Sequence, residues 1–405
     1  MEPDLTCDVC IIGGNIAGSY LAYLLAKHNI HVVVVEQNRI PGIPSHCAGI
    51  VSQRFRNIVE VDPTIILNRV DTAYLISENN KKVEVSIQDH PYILDRIRLD
   101  QYFYHKAESC GVMYLLKEKF FEFQKNKDFI RITTQKRTIT AKMIVGCDGP
   151  NSRVARLHGI RHNLLPAMQV RVPFTHPKNS VRMYFKRNWK YLFGWVIPEG
   201  NGICRIGLGC ETNLLCSFQS FLKELRVDTS QILEKHGGQI IIGYPGQIAF
   251  NRAILLGDAA GMVKATTGGG INTLLKAADY AKNAILNAMN KNNFTQRYLV
   301  AHYQHSYGVC QLKYNIFLHY LIRIVLVNLT QQEYEEGFAF LKQSMIKKVL
   351  LKYGDMDFPL KFLIKILLSK NLRMDLLRLI SLFVWKLPRI FHYLLLGRKY
   401  DLTMA

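Results

Sequence analysis

From Cys7 to Glu36 the chain changes rhythm three times. Val9–Ile12, "VCII", is a short continuous apolar run; "SYLAYLLAKHN" then repeats apolar residues at helical spacing; "HVVVVE" is an unbroken β-branched run ending on Glu36. Strands buried on both faces of a parallel sheet read this way, so the segment predicts strand, turn, helix, strand. Similar strand ends recur in "MIVGCDG" and "AILLGDAAG", and an amphipathic helix follows the second. Between them the rhythm shortens: "AMQVRVPF", "VRMYFKR", "YLFGWVIP" and "CRIGLGC" alternate with turns. That pattern predicts an antiparallel sheet inserted between two parts of an α/β unit. The expected boundaries are residues 1–160 with 246–290 for the α/β unit, 161–245 for the sheet, and 291–405 for a leucine-rich helical region.

The turns carry the first chemistry. Gly13-Gly14-Asn15-Ile16-Ala17-Gly18 fits G-x-G-x-x-G, with Asn15 at the second glycine. Between a strand and a helix this is a dinucleotide turn, in which the backbone approaches a pyrophosphate at a helix N-terminus. Asn tolerates a left-handed backbone well, which predicts that the turn survives. Glu36, 18 residues after Gly18, stands where a carboxylate binds a ribose hydroxyl. Asp148-Gly149 and Asp258 end two further strands, and a buried aspartate needs partners such as sugar or ribityl hydroxyls. Gly268, Gly269 and Gly270 open a helix at Ile271, offering free amides and a positive dipole end to an anion.

In "GCDGPNS", "GDAAG" and the glycine triplet, the sequence resembles FAD-dependent oxidoreductases of the para-hydroxybenzoate hydroxylase superfamily. "DRIRLDQYFYHKA" resembles the same family's R-x-x-[FL]-D element. The resemblance implies a Rossmann-like FAD-binding domain. It also implies Arg96 near the cofactor, Asp148 and Gly149 near the pyrophosphate, Asp258 on the ribityl chain, and the triplet facing the flavin ring.

Two more motifs narrow the branch. Phe193-Gly194-Trp195-Val196-Ile197-Pro198, eight residues, then Gly207-Leu208-Gly209 is similar to the [YF]-x-W-x-F-P…G-x-G pattern of geranylgeranyl reductases, with Ile197 replacing Phe. Flavin-dependent halogenases carry W-x-W-x-I-P, which Ile197 fits and Phe193 breaks. Cys47-Ala48-Gly49 resembles the reductases' C-[GA]-G element over the flavin. "KATTGGGI" resembles their P-x-T-G-G-G-I, with Ala265 for proline, which predicts a looser loop. The resemblance implies reduction of geranylgeranyl chains on archaeal-type membrane-lipid precursors. An isolated isoprenoid double bond is not polarised by a carbonyl, so its reduction needs an apolar slot, a proton donor and an electron-rich group beside the developing cation. Cys47 and Trp195 are the catalytic candidates, with Phe193, Trp195, Pro198, Gly207 and Gly209 at the substrate. The competing readings are a core-packing tryptophan, an inert small cysteine, and a monooxygenase or halogenase acting on an aromatic or polyketide-like molecule.

Composition adds partners. The 405 residues carry a formal charge of +21, which favours an anionic partner. Residues 341–405 hold thirteen lysines and arginines against four aspartates, in a helical, apolar pattern. That predicts peripheral contact with an anionic membrane surface, the competing reading being a solvated helical face. No nucleic-acid-binding module accompanies the charge. Nine scattered cysteines without a secretory leader predict a reducing cytoplasmic setting, and Cys7 and Cys10 read as structural. No metal site is read. The electron donor, whether ferredoxin, NAD(P)H or a reduced deazaflavin, is external.

Overall fold

A computed structural model describes residues 4–86, 90–189, 192–369 and Leu372. The first sheet has strand Leu5–Ile12 at its centre, parallel to Val32–Val35 on one side and Thr138–Gly146 on the other. Strand Ala253–Leu255 runs parallel beyond Thr138–Gly146. Val9 to Ile12 and Val32 to Val35 are all buried, as their uninterrupted apolar runs require. Register matters more than composition here. Ile12 aligns with both Val35 and Gly146, and Gly146 aligns with Leu255. The parallel strands therefore end level, and Gly13, Glu36, Cys147 and Gly257 emerge at one edge. That carboxyl edge is where open α/β sheets bind ligands.

The second sheet has seven strands in the order Glu234–Ile241, Leu164–Pro173, Ile203–Gly209, Gly194–Gly200, Ser180–Tyr184, Thr72–Ile76, Lys82–Ser86. Its last hairpin comes from upstream of residue 161, and Thr72–Ile76 pairs parallel to Ser180–Tyr184. The inserted sheet thus borrows residues 72–86 from before the expected boundary. Short alternating strands carry no mark of which sheet they will join.

Alternation splits this sheet into two faces. Val170, Val172, Val196, Ile206 and Leu208 pack under Phe218, Phe221 and Leu222 of helix Leu214–Glu224. Phe193, Trp195 and Ile197 face the other way, into a cluster with Ala48, Ile240, Ala265, Tyr320 and Ile324. The second face therefore looks toward the glycine-rich loop and the C-terminal helices.

Helix Tyr307–Val327 buries Asn315, His319 and Arg323, a polar stripe at four-residue spacing. Arg323 is the one Arg or Lys in the apolar run "IFLHYLIRIVLVNL", and its guanidinium docks on the Ala265 and Thr266 carbonyls, at 2.9 and 2.7 Å. Helices Ser344–Tyr353 and Leu360–Leu368 follow, and most of the basic run after residue 369 lies outside the described residues. No helix among the described residues is long and apolar enough to cross a membrane.

Candidate active site

The glycine turn works by close approach. Gly13 has φ +103°, and a Cβ there would sit 2.4 Å from the Cys147 carbonyl oxygen. This contact presses the "GCDG" loop against the dinucleotide turn. The Gly14 amide donates to Glu36 Oε2 at 2.7 Å and the Asn38 amide to Oε1 at 2.8 Å. Burial raises the pKa of Glu36. Gly18 and Ala17 lie in the first turn of helix Ile16–Ala26, both buried. Asn15 corrects the sequence expectation: its φ is −77°, so no left-handed conformation is needed. It survives at a glycine position as the helix N-cap, and its Oδ1 accepts from the Gly42 amide at 2.8 Å.

Asp148 also differs from expectation. Ser152 Oγ donates to its Oδ1, and the Arg153 and Val154 amides to its Oδ2. Its carboxylate thus takes the first two amides of helix Arg153–Leu157, whose N-cap is Ser152. What it offers a cofactor is the backbone at Cys147 to Gly149. Asp258 is the opposite case. Its carboxylate has no hydrogen-bond partner among the described residues, burial raises its pKa, and the charges of Arg96 and His162 oppose that rise. Arg96 contacts Asp100 at 3.2 Å, while its Nε is buried without a partner among the described residues. Burial works against the Arg96 charge, but Asp100 and Cys47 outweigh it and raise its pKa. Asp100 in turn accepts from the Ile16 amide at 2.6 Å, joining the Arg96 helix to the glycine turn. An unpartnered carboxylate, an unpartnered guanidinium nitrogen and a helix start between them fit the hydroxyls and phosphates of FAD.

Gly268, Gly269 and Gly270 end in the N-cap of helix Ile271–Asn290, with Ile271 buried. The loop before them is not loose at Ala265. Arg323 holds it from above, Thr266 Oγ1 lies 2.6 Å from His319 Nδ1, and Lys264 is buried against Asp357. Side chains of the C-terminal region replace the rigidity that proline would give.

This network titrates. Burial and the Lys264 charge push the His319 pKa down to about 4, from an ordinary 6.5. Burial alone would raise Asp357, but Lys264, Ser52 and Asn272 hold it at about 2, against 3.8. Both folded values lie below the unfolded ones, so the unfolded chain takes up each proton first. Stability is expected to fall as pH drops from about 6.5 towards 4 through His319, and from about 4 towards 2 through Asp357. Thermal melts across pH 7 to 4 should show a decline that His319→Gln flattens; an equal slope in that variant contradicts the assignment.

The Trp195 motif has a structural reason for its spacing. Gln169, Gly207 and Trp195 lie side by side on three adjacent strands. The indole lies across Gly207, where a Cβ would be 2.2 Å from the ring, and its Nε1 donates to Gln169 Oε1 at 2.9 Å. Gly209 leaves room for Leu192 in the same way. Phe193 meets Trp195 edge to face at 6.2 Å, and the Pro198 carbonyl accepts from Asn68 Nδ2 at 2.9 Å. Trp195 is therefore well packed, on the face that meets Ala48 and Ala265 rather than the helix-covered face.

Cys47 is partly buried, and its Sγ accepts from the Gly49 amide at 3.4 Å. The residue that brings this loop to the sheet was not visible in the sequence. Arg205, buried in "CRIGLG", donates to the carbonyls of Ala48 at 2.6 Å and Leu94 at 3.0 Å. It pairs with Glu199, which Arg171 also holds at 2.8 Å. His46 Nδ1 adds a contact of 2.6 Å to the Gly237 carbonyl. Arg205, Lys264, His319, Arg323 and Asp357 are all absent from the sequence-derived site.

Residues 6–192 match the FAD binding domain family. Digeranylgeranylglycerophospholipid reductase 2 of Methanosphaera stadtmanae is 25% identical over 347 residues, covering 78% of this chain and 88% of the relative. Digeranylgeranylglycerophospholipid reductase 1 of Methanothermobacter thermautotrophicus is 26% identical over 318 residues, covering 72% and 80%. Among solved structures, a geranylgeranyl bacteriochlorophyll reductase-like protein from Thermoplasma acidophilum superposes with a TM-score of 0.82 at 18% identity, over 93% of this chain and all of that one. The halogenase PltM, solved in complex with FAD, superposes at 0.62 and 16% identity, over 97% and 93%. The shared fold is an FAD-binding α/β domain carrying an inserted sheet and C-terminal helices.

Proposed function

We propose that this chain, an FAD-dependent oxidoreductase of the FAD-dependent hydroxylase superfamily, saturates carbon–carbon double bonds in geranylgeranyl chains of membrane-lipid precursors. The observation that carries this reading is the meeting of three segments on one sheet face: the Trp195–Gly207 pair, the Cys47–Gly49 loop and the loop before the glycine triplet. The names of the curated relatives support the same substrate class.

Reduced FAD supplies the hydride equivalent. The chain supplies the rest. Phe193, Trp195 and Ile197 exclude water and accommodate an apolar chain. The indole face of Trp195 lies beside the carbon that gains positive character, a contact worth about 1–2 kcal/mol when desolvated. The Cys47 thiol, or water held by it, delivers a proton from Sγ to the less substituted carbon. Arg96 lies next to Cys47. An external donor, whether ferredoxin, NAD(P)H or a reduced deazaflavin, returns the electrons. Leu360, Ile364, Leu367 and Leu368 are exposed beside Lys361 and Lys365, which supports peripheral contact with an anionic membrane at the cytoplasmic face.

The test is the mass of the lipid. Reduced holoprotein, given geranylgeranylated phospholipid in anionic vesicles, is expected to add two hydrogens per double bond, and more slowly in zwitterionic vesicles. Cys47→Ala should retain FAD and lose on the order of a hundredfold in rate, the scale of one general acid. A second reading rests on Ile197 and on the halogenase fold match: oxygen-dependent chemistry on an aromatic or polyketide-like molecule. It predicts NAD(P)H-driven oxygen uptake stimulated by such a molecule, and no change in lipid mass.

A further inference from the structure

Asp357 lies in the connection between helices Ser344–Tyr353 and Leu360–Leu368, far along the chain from any flavin motif. It is nevertheless the point where those motifs are tied together. Its Oδ1 accepts from Lys264 Nζ; its Oδ2 accepts from Ser52 Oγ at 2.5 Å and Asn272 Nδ2 at 2.9 Å. Ser52 ends the segment that begins at Cys47, Lys264 begins the glycine-rich loop, and Asn272 is the second residue of the helix that the triplet opens. The Asp357 carbonyl also accepts from Asn315 Nδ2 at 2.5 Å, with His319 Nε2 at 3.2 Å.

The pair is dry and directional. Lys264 is 4% exposed and Asp357 likewise 4%. A Cβ on Gly269 would lie 3.4 Å from Lys264 Cε and 3.6 Å from its Nζ, so the ammonium rests against the triplet. Asp357 is reached through it. Charge in such a setting is poorly screened, and the cation adds to the positive end of the Ile271–Asn290 helix.

We propose that Lys264 and Asp357 act as a positioning and charge-setting pair for the flavin: Asp357 locks the three segments around the ring, and Lys264 presents a partly neutralised positive charge to the ring edge at the triplet. This rests on the reading that the triplet faces the flavin, and not on which double bond or aromatic the enzyme reduces or oxidises. Reduction adds negative charge to the flavin, so the pair sets how much more tightly the protein holds reduced than oxidised FAD.

The FAD-loaded protein tests this through its midpoint potential, measured against indicator dyes, and its FAD dissociation constant. Asp357→Asn leaves Lys264 uncompensated and should raise the reduced-over-oxidised affinity ratio at least tenfold, a rise of about 30 mV for a two-electron couple. Lys264→Met should lower that ratio at least tenfold, and the double variant should return close to the parent. Opposite signs support the proposal. Shifts of the same sign, or lost FAD affinity at unchanged potential, overturn it and leave a scaffold role alone. Lys264→Met keeps the Ser52 and Asn272 bonds to Asp357, so an unchanged potential in that variant overturns the proposal even where Asp357→Asn does not fold.

Discussion

Replacing Gly13 with alanine is expected to raise the FAD dissociation constant at least a hundredfold, about 2.7 kcal/mol of binding. The backbone there has φ +103°, which costs a β-carbon about 1–2 kcal/mol, and that carbon would overlap the Cys147 carbonyl at 2.4 Å. Neither side can yield, because the Cβ is fixed to the Gly13 backbone and the oxygen to the Cys147 backbone, at the ends of adjacent central strands. The overlap must open the seam between the dinucleotide turn and the "GCDG" loop, which is where the pyrophosphate is expected. Gly111 is the control: its φ is +87° and a Cβ there would meet nothing within 4 Å, so Gly111→Ala carries backbone strain only. FAD content and fluorescence quenching of the two purified variants separate the effects. Equal FAD retention in both contradicts the assignment.

Arg205→Met is expected to lower turnover at least tenfold while FAD stays bound. The Ala48 carbonyl loses its donor, and the Cys47 loop is no longer tied to the strand that carries Gly207. Breaking a buried pair costs about 3–5 kcal/mol; the remaining Arg171–Glu199 contact places this case at the lower end. Lysine restores charge but not the planar fork that serves Glu199, Ala48 and Leu94 together, so Arg205→Lys should recover stability more than rate. FAD occupancy, melting temperature and initial rate, measured on both variants, check this. A loss of FAD in step with rate would make Arg205 a scaffold residue only.

The parts of the candidate site legible in the sequence are those whose signal is local. Gly13 to Gly18, Glu36 and Gly268 to Gly270 sit beside strands and helices whose apolar rhythm places them, and parallel register brings Gly13 and Glu36 to one edge. Trp195 and Gly207 were legible as a spacing, but their reason is a cross-strand fit: the indole needs the missing side chain opposite. The partners of the Asp148 carboxylate were not legible, because an aspartate at a strand end looks the same whether it serves a ligand or its own following helix. Arg205 looked like one charge in an alternating strand, and Asp357 like part of a basic tail. Their partners are a carbonyl at Ala48 and an ammonium at Lys264, distant in sequence and carrying no periodicity. The 72–86 hairpin escaped for the same reason, since edge pairing depends on the whole fold.

Under the proposed function, the electrons held by this protein's FAD go to an isolated alkene. Anaerobic reoxidation measures that directly. Holoprotein reduced with one equivalent of dithionite and mixed with geranylgeranylated phospholipid, oxygen excluded, is predicted to regain the visible absorbance of oxidised flavin as the lipid gains two hydrogens for each flavin reoxidised. Flavin that stays reduced with the lipid and reoxidises only on admitting oxygen would contradict the account.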